Sequence, residues 1–196
     1  FNRAFQDFNG AEHEAVGLGV DWTPSRALRA GASWTRREIA RPVLAAKDMP
    51  DETRDETALR AFVAAPIGRR WAIGAELEWL DQGQPFPPEN GLTTLVAPLT
   101  ASWFHPDGLF AKTRVTLYRQ TASDGRSGRE ERTSGHVADA ILGYRLPGAN
   151  VVATAELLNF TDQDVRFQEP AYRIEDPGLR RFSTGLSVRI GLSLQF

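Results

Sequence analysis

The chain has 196 residues and no cysteine, which excludes disulfide frameworks, thiolate metal sites and cysteine nucleophiles together. A formal net charge of −2 supplies no broad basic field, so nucleic acid is not an expected partner. No stretch approaches the roughly 18 to 20 consecutive apolar residues of a membrane-spanning helix, while the mean hydropathy of −0.36 is compatible with a wall of alternating apolar and polar residues.

The chain opens on Phe1 without an initiator methionine, a basic n-region or an apolar h-region, and reads as a processed or truncated part of a longer protein. Phe1–Phe8 reads as the end of one strand. Next, Val16, Leu18, Val20 and Trp22 alternate with Ala15, Gly17, Gly19 and Asp21, a period of two that puts each set on its own side of a strand. Leu28, Ala30, Ala32 and Trp34 then oppose Arg29, Gly31, Ser33 and Thr35. Leu59, Ala61, Val63 and Ala65 oppose Arg60, with Phe62 breaking the pattern.

The clearest internal strand carries Trp71, Ile73, Ala75, Leu77 and Trp79 against Gly74, Glu76 and Glu78. Leu95, Ala97, Leu99, Ala101 and Trp103 oppose Thr94, Thr100 and Ser102, with Pro98 predicting a bulge. Leu109, Ala111, Val115 and Leu117 oppose Lys112, Arg114, Thr116 and Tyr118. Ala138, Ala140, Leu142 and Tyr144 oppose Asp139 and Arg145, and Val151, Ala153, Ala155 and Leu157 oppose Thr154 and Glu156. The final strand puts Leu186, Val188, Ile190, Leu192, Leu194 and Phe196 on one face, with Ser187, Arg189, Gly191, Ser193 and Gln195 on the other. Nine strands are counted from Val16, and Phe1–Phe8 supplies a tenth.

Tight turns begin at Pro24, Pro66, Pro106 and Pro147, at intervals of 42, 40 and 41 residues, a repeat of hairpin size. Between them lie polar segments, roughly 39 to 56, 81 to 91, 120 to 134 and 161 to 178, that read as long loops. Short turns alternating with longer loops are what bacterial outer-membrane barrels show, with the short turns in the periplasm. On that assignment the last strand runs inward and the C-terminus is periplasmic.

A soluble barrel or sandwich also alternates, so periodicity alone does not decide which face meets lipid. The aromatic residues point to a membrane. Trp22, Trp71, Trp103, Phe110, Tyr144 and Phe196 lie near the short turns, and Trp34, Trp79, Tyr118 and Phe160 lie toward the loops, several of them on the apolar face, which resembles two interfacial girdles. The expected fold is all-β: one antiparallel up-and-down transmembrane β-barrel domain over residues 1–196, forming part of a larger barrel. Its lumen-lining candidates are Arg29, Arg60, Glu76, Glu78, Lys112, Arg114, Asp139, Arg145, Glu156 and Arg189.

The last eight residues, Arg189-Ile190-Gly191-Leu192-Ser193-Leu194-Gln195-Phe196, resemble the C-terminal insertion signal of Gram-negative outer-membrane proteins, with Arg189, Gly191, Leu194 and Phe196 filling its pattern. That resemblance implies recognition by the barrel-assembly machinery. Leu158-Asn159-Phe160-Thr161-Asp162 and the residues to Arg181 resemble the last hairpin of TonB-dependent receptors and of barrels that follow periplasmic tetratricopeptide repeats. Arg36-Arg37-Glu38-Ile39 and Leu142 to Pro147 resemble the second group more closely, which implies an upstream periplasmic repeat domain.

No catalytic, cofactor or metal site is expected. Glu76 and Glu78 share a face without a histidine or nucleophile beside them, and His13, His105 and His136 are scattered. Asp48, Asp51, Glu52, Asp55 and Glu56 lack regular calcium-loop spacing and read as a solvated loop. Arg126, Arg129 and Arg132 read as a flexible loop, with lipopolysaccharide phosphate as the alternative. The leading functional expectation is a pore or export channel for a polar solute or polymer, in contact with outer-membrane lipid and lipopolysaccharide. The alternatives are a TonB-dependent receptor barrel and a non-conducting membrane anchor.

Overall fold

In the computed structural model, which describes residues 12–25, 27–41, 52–84, 90–124, 127–148, 151–163 and 185–194, the chain forms one antiparallel sheet with its strands in sequence order. Nine strands are present among the described residues: β1 (Glu12–Ser25), β2 (Leu28–Arg41), β3 (Glu52–Ile67), β4 (Trp71–Gln84), β5 (Asn90–Phe104), β6 (Leu109–Asp124), β7 (Arg129–Arg145), β8 (Val151–Leu158) and β9 (Ser187–Leu194). No helix occurs among them, so the architecture is all-β and up-and-down. The segment read as a tenth strand, Phe1–Phe8, lies outside the described residues, and β1 and β9 are the two edges of the described sheet.

The short turns fall where proline and glycine put them. Gly68, Gly108 and Gly148 take φ values of 64°, 96° and 74°, in the left-handed region that only glycine enters at little cost. Gly108 has a second constraint. Its carbonyl accepts the Arg145 N–H at 2.9 Å, and a side chain on it would strike the Arg145 backbone.

At the opposite end, two segments expected to be loops are mostly strand. β6 and β7 stay paired out to Asp124 and Arg129, so 120 to 134 is a hairpin tip in which only 125 to 128 lie between strands. β4 likewise runs to Gln84 and β5 begins at Asn90, which leaves little loop in 81 to 91. The physical reason is that the face that is apolar nearer the turns becomes polar here, while the other face mixes Leu80, Leu92, Tyr118 and Ala122 with Gln82 and Gln120, so backbone pairing continues while the hydrophobic alternation that reveals it disappears. Asp55 and Glu56 belong to β3, and Arg129 and Arg132 to β7, where Arg132 pairs with Glu130 at 2.9 Å. Asp48, Asp51 and Arg126 lie outside the described residues, as does most of 161 to 178.

The bulge expected at Pro98 is absent. Ala75↔Leu99 and Glu78↔Val96 sit in one continuous register, as do Leu99↔Val115 and Ala97↔Leu117 on the other side. Proline's missing N–H shows instead as two vacant rungs between β4 and β5, opposite Glu76 and Leu77. The sheet keeps its alignment because the β5–β6 ladder runs unbroken through Pro98↔Thr116.

Directly opposed residues in an antiparallel ladder share a face, so the registers sort every strand into two sides. One side reads Trp22, Ala30, Val63, Ala75, Leu99, Val115 and Ala138 across seven strands. Its apolar run is Leu59–Ile67 on β3, Trp71–Trp79 on β4, Leu95–Trp103 on β5 and Leu109–Leu117 on β6, nine residues in each case, with Thr113 the one polar member on that face. At about 3.3 Å per residue that is roughly 30 Å of strand, or roughly 23 Å of height at a tilt of about 40°. Beyond the run the same face turns polar on adjacent strands: Arg36, Thr57, Asp81 and Thr93 follow Trp34, Leu59, Trp79 and Leu95.

Candidate functional site

All ten charged residues proposed from the sequence as a lining fall on the second side of the sheet. Arg60↔Glu78, Arg114↔Asp139 and Glu156↔Arg189 are direct cross-strand partners there. Ser102, Lys112, Ile141, Glu156 and Arg189 form one row across β5 to β9. Arg29 and Glu76 flank Phe62, the residue that broke the alternation in β3.

Phe62 has a physical place on this polar side. Its ring lies over Gly31, its partner on β2, with the Arg29 and Arg60 guanidinium carbons 5.4 Å and 5.9 Å from the ring centroid. Arg60 also donates to Glu76 Oε2 at 2.7 Å, and Arg29 reaches Asp21 at 3.4 Å. These pairs are half-exposed or exposed, so each contributes only about 0.2–1 kcal/mol. Their consequence is local charge balance along β1 to β4.

The other half of the face is different. Among the described residues, Lys112, Arg114, Arg145 and Arg189 form no ion pair, and all four are exposed. The nearby carboxylates are Glu156, opposite Arg189, and Asp139, whose Oδ1 accepts the Asn159 N–H at 2.9 Å. Asp139 therefore helps to fix the turn after β8. Asn159 sits there at φ 48°, its amide group bracketing Gln163 through bonds of 3.0 Å and 3.1 Å.

Sequence reading missed the group at the loop end of this face. Glu56 on β3 is 4% exposed, and its Oε2 accepts from Arg37 of β2 at 3.3 Å, Arg54 of β3 at 3.4 Å and Gln82 of β4 at 2.7 Å. Beside it the face continues through buried Leu80, Leu92, Tyr118, Gln120 and Ala122, with Gln120 donating to Thr94 at 3.1 Å. Extending the parity of Arg60 down β3 would have reached Glu56, and extending that of Ser33 along β2 would have reached Arg37. Reading 39 to 56 as loop stopped the first extension, and the alternation on β2 is read only to Thr35.

Burial therefore falls along the face, from the loop end, where Arg37, Glu56, Gln82 and Gln120 are enclosed, to the turn end, where Lys112, Arg114 and Arg145 are open. No group of three or more histidine, aspartate or glutamate side chains is placed to hold a metal ion among the described residues. His105 sits in the β5–β6 turn, 3.4 Å from Asp107, while His13 and His136 lie on β1 and β7. Of the residues resembling an insertion signal, Arg189, Gly191 and Leu194 lie on β9, and Phe196 lies outside the described residues. No protein-family model, curated protein or solved structure matches this chain.

Proposed function

We propose that this chain is the wall of a Gram-negative outer-membrane β-barrel that lets a polar solute or polymer cross the membrane along its charged face. The observation that carries the reading is the apolar run. It is nine residues long on four successive strands, and its side chains are left uncovered: Val63, Leu77, Leu99 and Leu117 are 43%, 47%, 45% and 46% exposed. Water would make so broad a bare apolar surface an aggregation hazard, whereas lipid covers it, and a height of roughly 23 Å is close to the ~25 Å band of membrane barrels. Lipid also forbids unpaired strand edges, so β1 and β9 pair with each other or with further strands in the membrane.

In this reading the short turns and the C-terminus face the periplasm, and the extended hairpins project outward into the lipopolysaccharide layer. Arg189, Gly191, Leu194 and Phe196 supply the signal for the assembly machinery, and a periplasmic repeat domain precedes the barrel. The exposed cations at the turn end favour transport over a filled anchor, because cations facing a sealed lumen would carry a desolvation penalty with no compensation. The enclosed loop end is what a non-conducting anchor would share, and it makes that the second reading.

Two measurements test the proposal. Heat-modifiable migration and flotation with liposomes check the barrel, and ionic current across planar bilayers checks the pore. Inserted, heat-modifiable protein that passes no current at any voltage, in wild-type form and after the loop-end group is disrupted, overturns the pore and leaves the anchor or a plugged receptor barrel.

A further inference from the structure

We infer that the charged face is a vestibule open from the turn end and shut at the loop end by a side-chain gate latched on Glu56. This rests on the pore reading above. The gate is carried by the convergence of three donors, from β2, β3 and β4, on one oxygen of a carboxylate that is almost wholly enclosed. Farther along the face the lining opens, most clearly on β6, where Ala122 at the loop end is 6% exposed and Lys112, ten residues nearer the turn end, is exposed.

A carboxylate in such a place depends on its donors, and it in turn holds the Arg37 and Arg54 guanidinium groups together. Replacing Glu56 by alanine removes the anion that these two enclosed guanidinium groups share. Their repulsion and their demand for water both favour opening the loop end. Gln82 and Arg37 reach Glu56 through their side chains, from strands paired with β3, so the latch can part without breaking the backbone ladders. Wild-type protein is then mostly closed, with current in brief openings, and solute reaches the vestibule from the turn side.

No cysteine occurs in these 196 residues, so with any cysteine elsewhere in the protein replaced by serine each introduced thiol is the only one. The full-length protein is reconstituted in liposomes carrying Lys112→Cys or Ala122→Cys, and a membrane-impermeant maleimide is supplied on both sides. The expected result is that Lys112→Cys reacts at least about tenfold faster than Ala122→Cys, and that adding Glu56→Ala brings the two within about threefold. Gln82→Ala, which removes only the shortest donor, gives a smaller change in the same direction and serves if Glu56→Ala does not fold.

Equal labelling of both positions in otherwise wild-type protein overturns the gate while leaving the pore. No labelling at Lys112→Cys overturns the water-filled vestibule and the pore with it. Protection of Ala122→Cys that neither Glu56→Ala nor Gln82→Ala relieves overturns the latch.

Discussion

The ring of Tyr118 lies flat across Gly135, its direct partner on β7, so closely that a single methyl group on that glycine would collide with the ring. The same arrangement recurs on the charged face at Phe110 over Gly143 and at Phe62 over Gly31. An aromatic side chain on a polar face exposes its ring to water unless the ring can lie down on the sheet, and only a glycine partner leaves the backbone bare enough. Each pair thus hides apolar area and holds two strands in register.

Gly135→Ala and Gly143→Ala are expected to lift those rings and destabilise the sheet by about 1–3 kcal/mol each, the usual range for overpacking. Gly19→Ala is the matched control. It also lies in a strand on the charged face, but its added carbon would meet nothing closer than 3.5 Å, so its effect stays near zero or is slightly stabilising. Urea midpoints of heat-modifiable folding measure all three, and equal midpoints would remove the packing role of the rings.

The apolar run makes a prediction that water and lipid answer with opposite signs. Val63 is at the centre of the run on β3 and is 43% exposed, while Thr57 is on the same strand and face just beyond its end. In a bilayer, Val63→Arg is expected to cost about 2–4 kcal/mol and Thr57→Arg about 0–1 kcal/mol. Were this face wet, Val63→Arg would be harmless or improve solubility. Folding titrations into liposomes distinguish the two, and parity between the variants would remove the lipid belt.

The contrast between these positions also explains how much was legible in the sequence. Turn positions, strand pairing order and the face of each lining charge all follow from proline, glycine and a period of two, because from Val16 to Leu194 one face is apolar and the other polar. Past Leu59 on β3 and Leu117 on β6 the apolar face turns polar and the other face becomes mixed, so the period vanishes and paired backbone looks like loop. Glu56 and Arg37 were lost to that reading, although they form the most enclosed ion pair among the described residues, with side chains 5% and 7% exposed. Pro98 misled in the other direction: a bulge is one answer to a missing donor, and two empty rungs in an otherwise unbroken register are another. Tyr118 and Gly135 are seventeen residues apart, and nothing local marks them as partners.

Charge placement on β6 to β9 predicts ion selectivity. Lys112, Arg114, Arg145 and Arg189 are open and unpaired among the described residues, while the acidic side chains of β4 face Arg60. If this face lines a conducting pore, as proposed, anions are therefore expected to be favoured, since rings and clusters of cations select against their own sign. Lys112→Glu together with Arg114→Glu should move the zero-current potential toward the cation-selective side in a salt gradient, with little change in folding because both side chains are exposed. An unchanged potential in a conducting channel would mean that permeating ions do not pass this face.

Asn159 offers a test of the turn that follows β8. It is 4% exposed at φ 48°, its N–H donates to Asp139, its side chain binds both the N–H and the carbonyl of Gln163, and Leu186 of the β9 approach donates to Asp162 at 3.1 Å. Asparagine is one of the few side chains that tolerate left-handed backbone, and here it satisfies the loop's polar groups at the same time. Asn159→Ala loses both services and is expected to cost about 2–3 kcal/mol, combining unsatisfied buried groups with backbone strain. Asn159→Gly restores only the backbone freedom and should fall between the two, whereas Asp139→Asn keeps an acceptor for the Asn159 N–H and should cost less than about 1 kcal/mol. Hydrogen exchange at the Asn159 and Leu186 amides reads the same order locally, because both bonds belong to this turn. If Asn159→Gly were as damaging as Asn159→Ala, strain would contribute nothing and the side-chain bonds alone would hold β8 to the start of β9.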